Sequence, residues 1–181
     1  MSLTLMQKVD LSSDTAEINF SNIGGFSNLM IIASLRSNYA TSSTDGIAIR
    51  LNQIATGFQS IDVKSQVSFD RDLFEDNSTF YQNAPIITNE AAGGRTATAL
   101  STSGVKGTSQ ILFPSYSESG WLKCIMAEYK FYESTSTDFV MGKVGTTWNS
   151  TVPINTITLY PADGSAWEAG SVATLYGLQA S

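Results

Sequence analysis

The stretch Ile61-Asp62-Val63-Lys64-Ser65-Gln66-Val67-Ser68-Phe69 sorts its side chains by parity, with Ile61, Val63, Val67 and Phe69 opposite Asp62, Lys64, Gln66 and Ser68. Side chains alternate between the two faces of a strand, so a strand separates these sets, whereas a helix would scatter them around its circumference. The same period of two recurs on both sides. Toward the N-terminus, Ile47-Ala48-Ile49-Arg50-Leu51-Asn52 sets Ile47, Ile49 and Leu51 against Arg50 and Asn52; Ala16-Glu17-Ile18-Asn19-Phe20 and the trio Leu3, Leu5 and Val9 follow suit. Toward the C-terminus it returns in Asn155-Thr156-Ile157-Thr158-Leu159 and Val172-Ala173-Thr174-Leu175-Tyr176. These are predicted half-buried strands, with Ile49, Ile61, Val63, Ile157, Leu159 and Leu175 pointing into the core.

Two segments carry more apolar residues than one face needs. Leu29 to Arg36 is apolar at Leu29, Ile31, Ala33 and Leu35 and also at Met30 and Ile32, which predicts a central strand buried on both faces. Trp121 to Phe131 fits two periods. Leu122, Ile125, Met126 and Tyr129 follow helical spacing, while Trp121, Ile125, Ala127, Tyr129 and Phe131 share one face of a strand. The strand is the preferred reading, because Trp, Ile, Tyr and Phe favour sheets and the neighbouring segments are strands.

Turn signals punctuate the runs at Asn22-Ile23-Gly24-Gly25, Thr44-Asp45-Gly46, Glu118-Ser119-Gly120 and Ala162-Asp163-Gly164-Ser165. About ten strands at this spacing predict an all-β fold: an antiparallel β-sandwich of jelly-roll type, one domain over residues 1–181, with under roughly 15% helix. Residues 70–107 alternate weakly and read as a long irregular insertion with a short helix near Leu73. Loops held by a rigid scaffold are where specific contacts concentrate, so this excursion is a predicted contact region.

Composition removes whole classes of chemistry. Charged residues make up 14%, against about 25% in ordinary soluble domains; 25 Ser and 19 Thr fill the polar deficit. The absence of histidine excludes a Ser-His-Asp triad and any His-ligated metal, and the single Cys124 excludes an internal disulfide. A net charge of −6 without a basic patch argues against nucleic-acid binding. The longest apolar run, Leu29 to Ala33, falls far short of the roughly 20 residues of a membrane span. Met1 to Lys8 lacks a signal-peptide core, so a soluble chain made in the cytoplasm is expected.

No candidate site survives inspection. Asp70, Asp72, Glu75 and Asp76 could offer oxygen ligands to calcium but lack EF-hand spacing, and they read as a solvated turn. Trp121, Trp148 and Trp167 could form a carbohydrate platform, although core or interface roles are commoner for such residues. Neither Gly24-Gly25 nor Gly93-Gly94 opens a phosphate loop, Cys124 reads as a small buried hydrophobe, and the sequons at Asn77 and Asn149 read as chance. Catalytic, cofactor-binding and metal residues are therefore none, and no enzyme is expected.

Ala16-Glu17-Ile18-Asn19-Phe20-Ser21-Asn22-Ile23, followed by Leu29 to Ser37 with its closing Arg36-Ser37, resembles a recurrent module of tailed-bacteriophage virion proteins. Ile47 to Asn52 continues the likeness, as do Ile111-Leu112-Phe113-Pro114-Ser115-Tyr116, Trp148 to Thr151, Ile154 to Pro161 and Gly170 to Leu178. The resemblance is weakest between Gln53 and Gly107. It implies a non-enzymatic virion structural protein on the outer surface of the phage particle. The first role implied is a capsid decoration or cement protein, binding the major capsid protein of the head shell as a homotrimer. The alternative is a tail, fibre or head-appendage subunit with a receptor- or glycan-binding role. A small glycan-active enzyme ranks third, because no acid–base pair can be named. Met1 to Val9 either completes its own sheet or pairs across a subunit boundary or onto the shell.

Overall fold

The computed structural model describes the backbone over residues 2–54, 58–68, 79–82, 91–101, 104–133 and 138–179, and side chains over these residues except within 58–93 and at 133 and 138. Twelve strands and no helix occur among the described residues: β1 (Ser2–Asp10), β2 (Ile18–Phe20), β3 (Asn28–Ser37), β4 (Thr44–Leu51), β5 (Phe58–Ser68), β6 (Thr79–Gln82), β7 (Ala91–Thr98), β8 (Gly107–Phe113), β9 (Lys123–Glu133), β10 (Asp138–Trp148), β11 (Ile157–Pro161) and β12 (Val172–Gln179). The all-β expectation holds. Trp121 to Phe131 resolves as the preferred strand, β9.

Two antiparallel ladders are joined at a single strand. One runs β1-β12-β3-β8-β9-β10-β5-β6 and the other β2-β11-β4-β7. They meet where β3 outruns β8. Leu35 still pairs with Gly107, but Arg36 and Ser37 pair in parallel with Ala97 and Thr98 of β7. The sheet is thus mixed and open, rather than purely antiparallel. Among the described residues its end strands are β1, β2 and β6.

Inward side chains of both ladders form one core. Ile31, Leu35, Ile49, Ile111, Ile125, Phe131, Ile157, Leu159 and Leu175 belong to it, together with Trp148 and Trp167. Full burial of each such aliphatic side chain contributes about 1.5–3 kcal/mol. The expected core positions Ile49, Ile157, Leu159 and Leu175 are completely buried. The side chains of Ile61 and Val63, in β5, lie outside the described residues.

Two burial expectations fail for β3 and Cys124. Ile32 is 39% exposed, so β3 hides one face and not both. Leu29, Ile31, Ala33 and Leu35 face the common core, and the opposite face of an antiparallel sheet can stand in water. The same parity turns Cys124 outward, exposed, because its neighbours Lys123 and Ile125 point inward.

The insertion expected over 70–107 contains β6 and β7, and β7 lies between β4 and β3 in the strand order. Leu73 and the proposed helix around it lie outside the described residues. Ala91-Ala92-Gly93-Gly94-Arg95-Thr96-Ala97-Thr98 has no apolar alternation because its task is close approach. A Cβ on Gly94 would come within 2.9 Å of the Tyr129 side chain, and Thr96, Ala97 and Thr98 are fully buried.

Thr44-Asp45-Gly46 opens β4 instead of forming a turn. Its Asp45 is 2% exposed and serves a turn elsewhere. Its carboxylate accepts hydrogen bonds from Ser37 Oγ (2.5 Å) and from the backbone N–H groups of Gly46 (2.7 Å), Asp163 (3.0 Å) and Gly164 (3.0 Å). Asn38 Oδ1 takes the next two, from Ser165 (2.9 Å) and Ala166 (3.0 Å). Asp45→Ala removes the acceptor of one buried hydroxyl and three part-buried backbone donors, so a loss of about 1–3 kcal/mol is expected in urea unfolding. A loss under about 1 kcal/mol would show that the turn at 162–165 holds itself.

Tyr129 packs against two glycines. The base of its side chain lies against Gly94 of β7 and its phenol end against Gly142 of β10, where any Cβ would overlap the phenol oxygen and its ring carbon. Gly142→Ala is expected to destabilise by about 1–3 kcal/mol, the usual range for overpacking, and to lower Tm by several degrees. Gly145→Ala in the same strand meets nothing within 4 Å and is the control. Equal melting curves for the two variants would refute the packing assigned to Tyr129.

Candidate functional site

Three connections gather at one end of the sheet. They are the turn at 51–54 after β4, the β8–β9 loop at 114–122 and the β10–β11 loop at 149–156. Leu51 and Ile54 exchange backbone hydrogen bonds (3.2 and 2.9 Å) around Asn52 and Gln53, which take φ of 51° and 65°. That pair has the left-handed backbone of a tight two-residue hairpin turn, easy for Asn and strained for Gln. Asn52 is the hub. Its amide donates to Pro153 O (2.8 Å), and its Oδ1 accepts from the N–H groups of Asn155 (2.8 Å) and Thr156 (3.3 Å).

The β8–β9 loop is tied to the same framework. Ile154 N–H donates to Tyr116 O (2.9 Å) and Gly120 N–H donates to Thr151 O (3.3 Å). Gly120 has φ of 86°, a conformation that spares it the Cβ penalty other residues would meet. Beneath the loop, the buried ammonium of Lys123 donates to the Glu118 carbonyl. Ser115 N–H is held by Asn28 Oδ1 (2.9 Å).

This framework carries exposed apolar side chains. Trp121 is 72% exposed, and Leu122, Val152 and Ile54 are each close to half exposed. The hydrogen bond from Gly120 to Thr151 places Trp121 and Val152 next to joined residues, and Asn52 links Pro153 to the turn that presents Ile54. Across residues 51–54, 114–122 and 149–156 the one charged side chain is Glu118. Large, exposed, charge-poor apolar patches on a fixed backbone mark interaction surfaces.

The three tryptophans therefore part company. Trp148 and Trp167 are core, and Trp167 Nε1 donates to Leu159 O (3.1 Å). Trp121 lies outside β9 altogether, so it does not share the buried face of Ile125, Ala127, Tyr129 and Phe131 as the parity pattern had suggested. Asp70, Asp72, Glu75, Asp76 and Asn77 lie outside the described residues. Among the described residues no three Cys, Asp or Glu side chains gather to hold a metal. Sequence reading overlooked Asn52 as an anchor; the available signal was an Asn directly after an alternating strand, where left-handed turns favour it.

A second apolar feature crosses the open face of the larger ladder. Strand register sets Leu5 opposite Tyr176, Tyr176 opposite Met30, Met30 opposite Leu112 and Leu112 opposite Met126. The neighbouring row is polar apart from Ile32 and includes Glu128 and Lys143, 2.6 Å apart. The hydrogen bond and charge of Lys143 hold the Glu128 carboxyl below the usual carboxylate range. Its ionised form thus favours the folded state above the ordinary carboxylate pKa, and that small, solvent-screened contribution fades as pH falls through the lowered value. Comparison with protein-family models, with curated proteins and with solved structures finds no match.

Proposed function

We propose that this protein is a non-enzymatic structural component of a tailed-phage virion, a decoration or cement protein that docks on the head shell through the Trp121 end of the sheet. The observation that carries the reading is Trp121 itself, 72% exposed in a patch with a single carboxylate. Centres of protein interfaces are depleted in charge and enriched in tryptophan. Backbone hydrogen bonds already fix the loops that present it, which lowers the ordering entropy lost on docking. The virion setting rests on the resemblance carried by residues 16–37 and the closing strands. In the finer architecture this reading implies, the two ladders pack as a sandwich of jelly-roll type.

Trp121 also favours a second reading, an appendage subunit that binds receptor glycans, because an indole face stacks on the C–H face of a sugar ring. One variant separates the two. Trp121→Ser is expected to keep the wild-type melting temperature, since the side chain is outside the core, and to weaken co-sedimentation with undecorated heads by at least about tenfold, as a hot-spot residue does. Undiminished head binding by the variant would overturn the docking role. If wild-type protein ignores heads but binds a glycan array, and Trp121→Ser abolishes that signal, the appendage reading replaces it.

A further inference from the structure

We infer that the outer edge of β1 pairs with β1 of a second copy of this chain, in antiparallel, about a two-fold axis at Thr4. This goes beyond the docking role proposed for the Trp121 end and does not depend on it. β1 has nine residues, against three in β2 and four in β6, so it is by far the longest of the three end strands. Among the described residues it pairs only with β12.

Edge strands invite further pairing unless they are short, bulged, charged or interrupted by proline. The protective devices of β1 all lie in its second half: the register shift between Leu5 and Gln7, then Lys8 and Asp10, ion-paired at 2.9 Å. The first half has none. Ser2-Leu3-Thr4-Leu5 is uncharged and in regular register with β12, and Leu3 and Leu5 are 51% and 59% exposed.

Symmetry then selects the register. A two-fold axis perpendicular to the sheet leaves every side chain on its own face, and directly opposed residues in antiparallel strands share a face. The paired residue numbers must therefore sum to an even value. With Thr4 on the axis, Leu3 of each copy stands opposite Leu5 of the other, which makes two apolar cross-strand pairs. The row Leu5, Tyr176, Met30, Leu112 and Met126 then abuts Leu3 and Leu178 of the second copy, whose own Leu5 row lies two residues along the seam.

Charge favours this seam as well. The chain carries −6 overall, so copies repel through most of their surface, yet Ser2 to Gln7 is uncharged. With Thr4 on the axis, Ser2 to Met6 of one copy faces Met6 to Ser2 of the other, and this span carries no charged side chain.

Light scattering of the full chain is expected to give a mass that rises with concentration toward twice 19.4 kDa. Leu3→Lys/Leu5→Lys sets a lysine opposite a lysine at both pairs and should give the mass of one chain with an unchanged melting curve. Leu3→Lys/Leu5→Glu sets opposite charges against each other and should restore the doubled mass in low salt and lose it in high salt. A wild-type mass of one chain at every concentration overturns the inference. So does a mass of three chains, as the three-fold ring suggested by the resemblance would give, or a doubled mass that survives Leu3→Lys/Leu5→Lys. If the double-lysine variant fails to fold, the opposite-charge variant decides, since only opposed positions 3 and 5 can make its doubled mass salt-sensitive.

Discussion

The structure depends on β3 belonging to both ladders. Its first residues pair with β12 and β8, and its last two leave β8 for β7. Arg36 and Ser37, at the crossing, are therefore fixed by more than ladder hydrogen bonds. The Arg36 guanidinium lies 2.8 Å from the Glu168 carboxylate and donates to the carbonyls of Ser101 (3.2 Å) and Val105 (3.4 Å). Ser37 donates to the buried Asp45 carboxylate and accepts from Tyr39 N–H. A planar cation that cannot lose its charge suits the first position, and a small hydroxyl that both donates and accepts suits the second. The Arg-Ser step that carried part of the resemblance thus has a structural account: it locks the second ladder onto the first.

Legibility in the sequence followed the kind of constraint. Strands that pair in water on one face and in the core on the other announced themselves by alternation. β4, β11 and β12 fall where the period of two placed them. β7 gave no such signal, because contact distance selects its residues and hydrophobicity does not: glycine against Tyr129, alanine and threonine under the crossing. Ile32 misled in the opposite direction. An apolar residue on the open face reads like a second buried face, and only the missing cover distinguishes them. The candidate site was nearly invisible for a related reason. Trp121 fits the parity of β9, but the strand begins at Lys123, so parity carries no information at position 121.

The Trp121 end also shows how local polar chemistry positions an apolar surface. Asn52 uses a side chain that tolerates left-handed backbone both to make the turn and to hold the β10–β11 loop. Strain at Gln53, on the order of 1–3 kcal/mol for a residue in a sparsely populated region, persists because the hydrogen bonds of Asn52 over-determine the turn. Lys123 contributes from below. An inward lysine in β9 is costly unless its ammonium finds an oxygen, and the Glu118 carbonyl provides one, which ties the root of the loop to the strand that follows it.

Part of the Ser and Thr content works inside the fold. Thr96 Oγ1 donates to Leu35 O (2.5 Å), Thr98 Oγ1 to Ser42 O (2.5 Å) and Thr158 Oγ1 to Asn19 Oδ1 (2.5 Å), while Ser171 Oγ accepts from Arg36 N–H (3.1 Å). These residues are buried or nearly so. At these positions a small hydroxyl fits inside the fold and satisfies a neighbouring backbone or side-chain group at once. Low charge density is therefore partly a property of the interior and does not by itself mark a binding face. The charge poverty of 114–122 and 149–156 is a separate fact, because those loops stand in water, where charged residues are ordinarily favoured. Their exposed tryptophan, leucine and valine have no role in the chain's own core, and the proposed docking would give them one.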